Sequence, residues 1–477
     1  MSFADHAAKS VSKHRVIVEV DIGIGNSQWV NNGAGIWAVN PNNTYSWVDS
    51  TLLEEGFTAQ GFSTTGSVKV GGLSLQHGTS VEDLADTPSA WYLDTATSTL
   101  YVTMPNFDEP AMHTVAIGQI YSYSRGAFTP IGGPVPVEGR LLNTPAPSES
   151  RDPLFFGRFR YPNINVQLQN GDGEFDLWGR DVDIYGNDCR VLVGAEDLSY
   201  SLYRKVYTGF MQAITVAEDT ASISVSDKRK QLTKPIQYTT TNTNALTAIE
   251  EILAEAYSYT FDSTYYDLTA WNIAKALVAN ITLNYQEPAA VIDVIEYITA
   301  SVFGQFRVDA DNLFSFKVVD ETDAIETTIQ AADILEPHSI DYDPSTVLSS
   351  VRVGYARDWT ATGASAHTYY TDNTHRATVF ATYKTYEERT FDTALIDEAA
   401  AIVLATKILD YVDTVRGTET ITVPLEFYEL TLGQQIDVVI QRGAQSMLGE
   451  HKAEIVGIEY ALDTPVMRLG LRHGDAV

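Results

Sequence analysis

The chain has 477 residues and carries 62 Asp and Glu against 31 Lys and Arg, a formal net charge of −31 at pH 7. With 44% hydrophobic and 19% charged residues it has a globular composition, enough for roughly two to four domains, and the acidity belongs to a folded surface, not a disordered tail. A sequence pI near 4.5 opposes clamping of DNA, RNA or anionic membranes, and the clearest basic cluster, Lys228-Arg229-Lys230, is too small to reverse it. Cys189 is the only cysteine, which excludes an intramolecular disulfide and a cysteine-based zinc site; it is expected to pack as a small hydrophobe. Met1 to Arg15 lacks the apolar core of a signal peptide, and no apolar run of about 18 residues occurs, so synthesis in a cytoplasm is expected. Without export, the glycosylation patterns Asn42-Asn43-Thr44 and Asn280-Ile281-Thr282 have no enzyme to read them.

Short alternating runs rich in Tyr, Thr and Val, with 32 Gly among them, predict mostly β structure with frequent turns and few helices. Val16-Ile17-Val18-Glu19-Val20 opens the first strand. Trp29, Trp37 and Trp47, with Gly33 and Gly35 between them, predict short strands joined by glycine turns. Segments 67–73, 91–94 and 99–105 continue the pattern, with Ala96-Thr97-Ser98 as a hairpin loop. Residues 1–125 read as a β-sandwich. Gly126 to Pro153 holds six prolines and four glycines, the mark of a domain boundary or an extended arm. Segment 159–168 then reads as a strand, Asn170-Gly171-Asp172-Gly173 as a turn, and 191–194, 207–210 and 221–226 as further strands. Residues 126–240 are expected to form a barrel, with the Pro/Gly-rich arm leading into it.

The next block is helical. Asn244 can cap a helix whose apolar residues Leu246, Ile249, Leu253 and Tyr257 are spaced by three and four. Pro288 can open a second helix, with Val291, Ile292, Ile295, Ile298 and Val302 on one face and Gly304 ending it. A hairpin follows, 305–308 and 313–318 around Asp309-Ala310-Asp311-Asn312. Residues 241–345 read as an α+β insertion. From Val347 the β pattern resumes with 351–355. A third helix spans about 394–411, with Leu395, Ala399, Ile402, Val403 and Leu409 on one side. Strands at 420–425, 432–440, 454–460 and 466–471 complete a second barrel, residues 346–477, with that one helix packed on it.

Candidate chemistry is sparse. Gly23-Ile24-Gly25-Asn26-Ser27-Gln28 resembles the start of a dinucleotide fingerprint, but Gln28 replaces the third glycine and Trp29-Val30-Asn31 suits a strand, so a turn between strands is the reading. Gly61-Phe62-Ser63-Thr64-Thr65-Gly66 places its second glycine one residue too late for a nucleophile elbow. His338, His367, His375 and His451 have no metal-binding spacing and read as isolated surface residues. The acidic pairs Glu54-Glu55, Glu250-Glu251 and Glu387-Glu388 are what any chain this acidic offers, and Asp309-x-Asp311 fits a hairpin turn better than a calcium loop. Trp29, Trp37, Trp47 and Trp91 could form a sugar-stacking platform, although tryptophans of a small sandwich more often form its core. No catalytic, cofactor-binding or metal-binding set is assigned, and no enzymatic activity is expected.

Three stretches, in this order, resemble the tail-tip or baseplate hub proteins of tailed bacteriophages. Segment 161–176, with Asn170-Gly171-Asp172-Gly173, is similar to the strand and turn that open the first hub barrel. Segment 223–232, Ile-Ser-Val-Ser-Asp-Lys-Arg-Lys-Gln-Leu, is similar to the strand that leaves it. Leu432-Gly433-Gln434-Gln435-Ile436-Asp437-Val438 is similar to the family's Leu-Gly-Asp-x-Val strand, with Gln434 at the Asp position. Segment 91–105 also resembles N-terminal regions of siphophage virion proteins.

The resemblance, over residues 126–477, implies two tail-tube-like β-barrels with an α+β insertion between them; with the N-terminal β-sandwich read from the strand pattern of 1–125, the expected fold is mainly β. It implies a homotrimer whose two barrels per chain form a pseudo-hexameric ring continuing the tail tube. The implied neighbours are a distal tail protein ring, a tape measure protein and a central fibre or receptor-binding protein. The implied place is the virion's tail tip, after synthesis in the bacterial host cytoplasm. DNA would pass through without specific binding, as an acidic wall denies phosphates the counterion-release gain. The competing reading is an acidic glycan-binding or glycan-degrading β protein with the Trp-rich first domain as its binding module.

Overall fold

The computed structural model describes residues 14–24, 29–31, 36–39, 67–70, 73–74, 76–77, 90–94, 99–103, 115–125, 127–128, 131, 137–151, 159–160, 162–176, 178, 185–195, 198–320, 323–336, 339–439, 450–462, 464 and 466–473. The chain divides into two compact units, residues 1–145 with 163–226, and residues 146–162 with 227–477. The path therefore leaves the first unit at 145, returns at 163 and leaves again at 226.

The first unit is built on an eight-stranded sheet. In order across it lie Asn163–Gln169, Thr220–Ser226, Arg204–Val216, Asp188–Ala195, His14–Ile24, Val115–Tyr123, Ser67–Val70 and Leu73–Ser74. The pattern Asn-Ile-Asn-Val-Gln-Leu-Gln of the first of these has the period of a half-buried strand: Ile164, Val166 and Leu168 are buried and the polar residues between them exposed. His14–Ile24 corrects the expectation of a separate sandwich over residues 1–125. It pairs on one side with Asp188–Ala195, from His14↔Ala195 to Val20↔Cys189, and on the other with Val115–Tyr123. The cause is burial, since Ile17 and Val20 are fully covered in this sheet. Between these strands in sequence, a five-stranded sheet is formed by Trp29–Asn31, Ile36–Val39, Thr99–Thr103, Ala90–Asp94 and Gln76–His77. The paired strands Ala90–Asp94 and Thr99–Thr103 are the expected hairpin; its loop residues 96–98 lie outside the described residues.

The second unit has its own eight-stranded sheet. Phe159–Arg160, Ser148–Arg151, Glu450–Ala461, Val466–His473, Gly417–Pro424 and Ile340–Tyr342 follow one another, and Gln435–Val439 pairs with Glu450–Ala461 and, in parallel, with Ile325–Ile329. Ile421, Val423, Ile436, Val438, Ile455, Met467, Leu469 and Leu471 form its core. The division at 345 is thus corrected, because strands Ile325–Ile329 and Ile340–Tyr342 belong to this sheet.

A second core in this unit joins helices Ala245–Tyr257, Leu268–Lys275, Val291–Ser301 and Glu398–Val412 to the strands around them, including Val351 and Val353. Asn244 caps the first helix as expected, accepting from Leu246 N and Thr247 N. Pro288 does not open the next. It lies in strand Asn280–Ala290, where the register against Pro235–Asn244 slips between Tyr285 and Ala289, so its missing N–H costs no ladder bond. Nor does Gly304 end that helix: Phe303 takes the left-handed turn at φ 54°. Gly304 is required elsewhere, as a Cβ there would come within 2.3 Å of Phe316 Cζ.

Helix Glu398–Val412 buries its apolar face in this core, and its Tyr411 also reaches Glu454 and Arg472 of the eight-stranded sheet. Asp397 accepts from Ala400 N and starts the helix at Glu398. Its buried face is Ala401, Leu404, Ala405, Ile408 and Leu409, while Ile402 and Val403, expected inside, are 39% and 58% exposed. Apolar residues cover so much of this helix that periodicity alone did not select the face.

Candidate functional site: the buried ion pairs that hold the arm

Pro145 and Pro147 fix an extended path into strand Ser148–Arg151, which lies on Glu450–Ala461 with Ser148↔Glu459, Glu149↔Ile458 and Ser150↔Gly457 in register. Tyr460 N donates to Pro147 O at 3.1 Å. Residues 149 and 151 share a face of this strand. Each ends in a charge that meets its counter-charge within the second unit.

Glu149 meets Arg229. The basic cluster is not a surface feature: Lys228 and Arg229 are buried in the short helix Lys228–Gln231 that Asp227 caps. Arg229 donates from Nε and Nη2 to the two Asp227 carboxylate oxygens, from Nη1 to Phe306 O and from Nη2 to Glu149, each at 2.9 Å. Burial opposes the guanidinium's charge, but Asp227 and Glu149 outweigh it and hold Arg229 ionised. Lys228 donates to Asn312 O at 2.9 Å, with Nζ 4.4 Å from the Phe314 ring centroid.

Arg151 meets Glu454 at 2.8 Å and donates to the Tyr411 hydroxyl, which itself donates to Glu454 at 2.8 Å. Arg472 lies over the Tyr411 ring, its Cζ 3.5 Å from the centroid, and donates to Tyr411 O. Burial pushes the Tyr411 hydroxyl well above the usual phenol range. Buried His473 pairs with Glu419 at 2.9 Å.

The first unit has a comparable knot at the expected turn. Gly173 takes φ 74°, and Asn170 Oδ1 accepts from Phe175 N at 2.8 Å. Arg140 donates to both oxygens of Asp172 at 2.9 and 2.7 Å, to Glu138 at 2.6 Å, and pairs with Glu174. The Arg140 hydrogen bonds hold the Asp172 carboxyl down at about 2.

The other candidates take structural positions. Glu250 accepts from Trp271 Nε1 and Lys275, Glu251 from the Tyr238 hydroxyl, and Glu388 from Ser350. Asp309 accepts from Asp311 N and Leu313 N in the hairpin turn. The histidines are not isolated: His375 Nδ1 lies 2.7 Å from Asp413, the His367 side chain is covered and 3.7 Å from Asp392, and the His451 ring packs on His473. Cys189 is buried, as its size suggested. Trp29 follows Gly25–Gln28 in a strand, so no helix begins there. Segment 61–66, Trp47, Glu54-Glu55 and His338 lie outside the described residues, as do the side chains of Trp29, Trp37 and Trp91. Among the described residues no group of three or more His, Cys, Asp or Glu could hold a metal ion, and no helix is long and apolar enough to cross a membrane.

Sequence reasoning missed the arm's ion pairs and the Arg140 knot. The only local signals were the charged alternation Ser-Glu-Ser-Arg after Pro147 and the position of Asp227 before its basic neighbours.

No family model matches the chain, and no curated protein does. Solved structures similar to it include a tail protein from Neisseria meningitidis, 14% identical at a TM-score of 0.45, covering 69% of this chain and 91% of that one. A 43 kDa prophage tail protein from Shewanella oneidensis is 11% identical at 0.44, covering 71% and 96%. A prophage tail protein from Listeria monocytogenes is 10% identical at 0.42, covering 69% and 87%. All three are tail proteins.

Proposed function

We propose that the chain is a structural hub protein of a bacteriophage tail, three copies of which close a ring that continues the tail tube at its distal end and lets DNA pass. The observation that carries this reading is where the hub-like stretches fall. Segment 161–176 contributes strand Asn163–Gln169 and its turn to the first sheet, and segment 223–232 contains the end of Thr220–Ser226 in the same sheet. Leu432 to Val438 leads into Gln435–Val439 of the second sheet. Two sheets per chain and three chains supply six tube-like elements, and a closed ring is the symmetric way to join them. The buried ion pairs of the arm suit a scaffold that must not come apart under load.

On this reading the protein works in the virion, next to a distal tail ring, a tape measure protein and a central fibre or receptor-binding protein, and the ring's inner wall is neutral or negative. Light scattering on the purified full chain tests it. A mass of about 157 kDa, three copies of 52.5 kDa, is expected at micromolar concentration. A 52.5 kDa particle that binds or cleaves polysaccharide would replace this reading with the glycan one.

A further inference from the structure

Strands Ser350–Tyr355 and Thr368–Asp372 pair antiparallel in a three-stranded sheet whose third strand is Glu388–Asp392. Residues 356–367 connect the first two. The connection leaves the sheet through Ala356, at φ 46°, whose N–H donates to Leu395 O at 2.8 Å, and it closes where Asp358 N donates to Ala366 O at 2.7 Å. At its end the His367 side chain is covered, only 4% exposed, and packs against the next strand: a Cβ on Gly354 would come within 3.0 Å of His367 Cβ.

The buried polar atoms of this connection are unsatisfied. Both His367 ring nitrogens, Arg357 Nε and Trp359 Nε1 are buried without a hydrogen-bond partner among the described residues. Arg357 Cζ lies 4.0 Å from the Trp359 centroid, and the Trp359 ring meets Tyr285 edge-on at 5.4 Å. Each buried polar atom without a partner forgoes its hydration, so the four together favour a state in which water reaches them.

The charges around the imidazole do not compensate for its burial. Asp392 Oδ1 is 3.7 Å from Nδ1, beyond a hydrogen bond, and already accepts from the Tyr369 hydroxyl at 3.0 Å. Its carboxylate is 54% exposed, so water weakens its pull. The Asp358 carboxylate is committed to Thr360. Arg357, with Nη1 3.5 Å from the Tyr297 hydroxyl, opposes a second positive charge, and Arg352 lies over the Tyr369 ring at 4.0 Å. Burial thus holds His367 below the usual imidazole value of 6.5, against the pull of Asp392 and the Thr393 backbone.

We propose that His367 is a pH-operated latch: neutral, it keeps the connection 356–367 closed on the sheet, and protonated, it releases it. An imidazolium needs acceptors for two N–H groups, and the closed site offers none within hydrogen-bond distance among the described residues. Water supplies both once the connection lifts. The neutral ring's contribution is complete above the unfolded value of 6.5 and is lost as the pH falls through the lower folded one. Release would expose Arg357 and Trp359 together, a guanidinium against an indole. The inference is independent of the ring reading above.

Hydrogen exchange of the full chain, read by mass spectrometry at about pH 7.5 and about pH 5 and corrected for the intrinsic effect of pH, tests it. Peptides over 356–367 are expected to lose protection about tenfold or more in acid, while strand Asn163–Gln169 keeps its own. In His367→Phe, whose ring stays neutral, the same peptides should be equally protected at both pH values. The wild type decides alone if that variant does not fold. Exchange of the imidazole C2 hydrogen, read in the peptide that holds His367, should follow its protonation with a midpoint below 6.5. A midpoint above 6.5, the ring having captured Asp392, would overturn the latch. So would protection unchanged in acid, or an equal loss in His367→Phe.

Discussion

Arg229 is fully buried and donates to Glu149 at 2.9 Å, although 80 residues separate the two in sequence. Asp227, held by the same guanidinium, is also buried. Removing Arg229 leaves a buried carboxylate without its cation, a change that costs about 3–5 kcal/mol. Arg229→Met is therefore expected to lower the urea midpoint of the full chain sharply. Glu149→Gln, which keeps an acceptor, should cost about 1 kcal/mol. Equal small losses in both would contradict the pairing.

Asp172 titrates at about 2 because Arg140 donates to both its oxygens. Its pKa is lowered on folding, so the stabilisation is present above the ordinary value of 3.8 and is lost as the pH falls through about 2. Carboxyl carbon NMR on labelled protein should place its midpoint well below that of an exposed aspartate. Arg140→Gln should return it to the ordinary range.

Burial pushes the Cys189 thiol up to about 12, so it stays protonated when an unfolded cysteine ionises. A raised pKa contributes stability that is intact below the unfolded value of 9.0 and falls as the pH rises toward about 12. At pH 8 the native protein should not react with a thiol-specific chromogenic disulfide over an hour, and should release one equivalent in urea. Rapid labelling without denaturant would show that Cys189 is accessible.

Two glycines should resist substitution for different reasons. Gly433 sits at φ 77° with Gln305 Nε2 2.8 Å from where a Cβ would be, so Gly433→Ala should cost about 1–2 kcal/mol. Gly304→Ala drives a methyl into the buried Phe316 ring and should cost about 1–3 kcal/mol. Gly171→Ala, with nothing within 4 Å, is the control and should change the melting curve little. Equal effects at all three would remove the packing argument.

Much of the local structure was legible in the sequence. The alternation of 163–169, the Asn244 cap, the turn at 170–173 and the hairpin around 309–312 each depend on residues within a few positions. What was not legible depends on distant pairing. Ser148–Arg151 has no apolar face to announce a strand, and its partner Glu450–Ala461 lies at the other end of the chain. That Lys228 and Arg229 are buried was not legible, because beyond the adjacent Asp227 their partners, Glu149 and Phe314, come from far away. His14–Ile24 was recognisable as a strand, but only the fold shows that it joins Asp188–Ala195.

The central claim is that three copies of this chain close a ring around an open conduit. Electron-microscope class averages of the purified full chain at micromolar concentration test it most directly. The account expects threefold particles with a central opening whose wall carries no excess of Lys and Arg. Isolated single-copy particles, or closed assemblies without an opening, would contradict it.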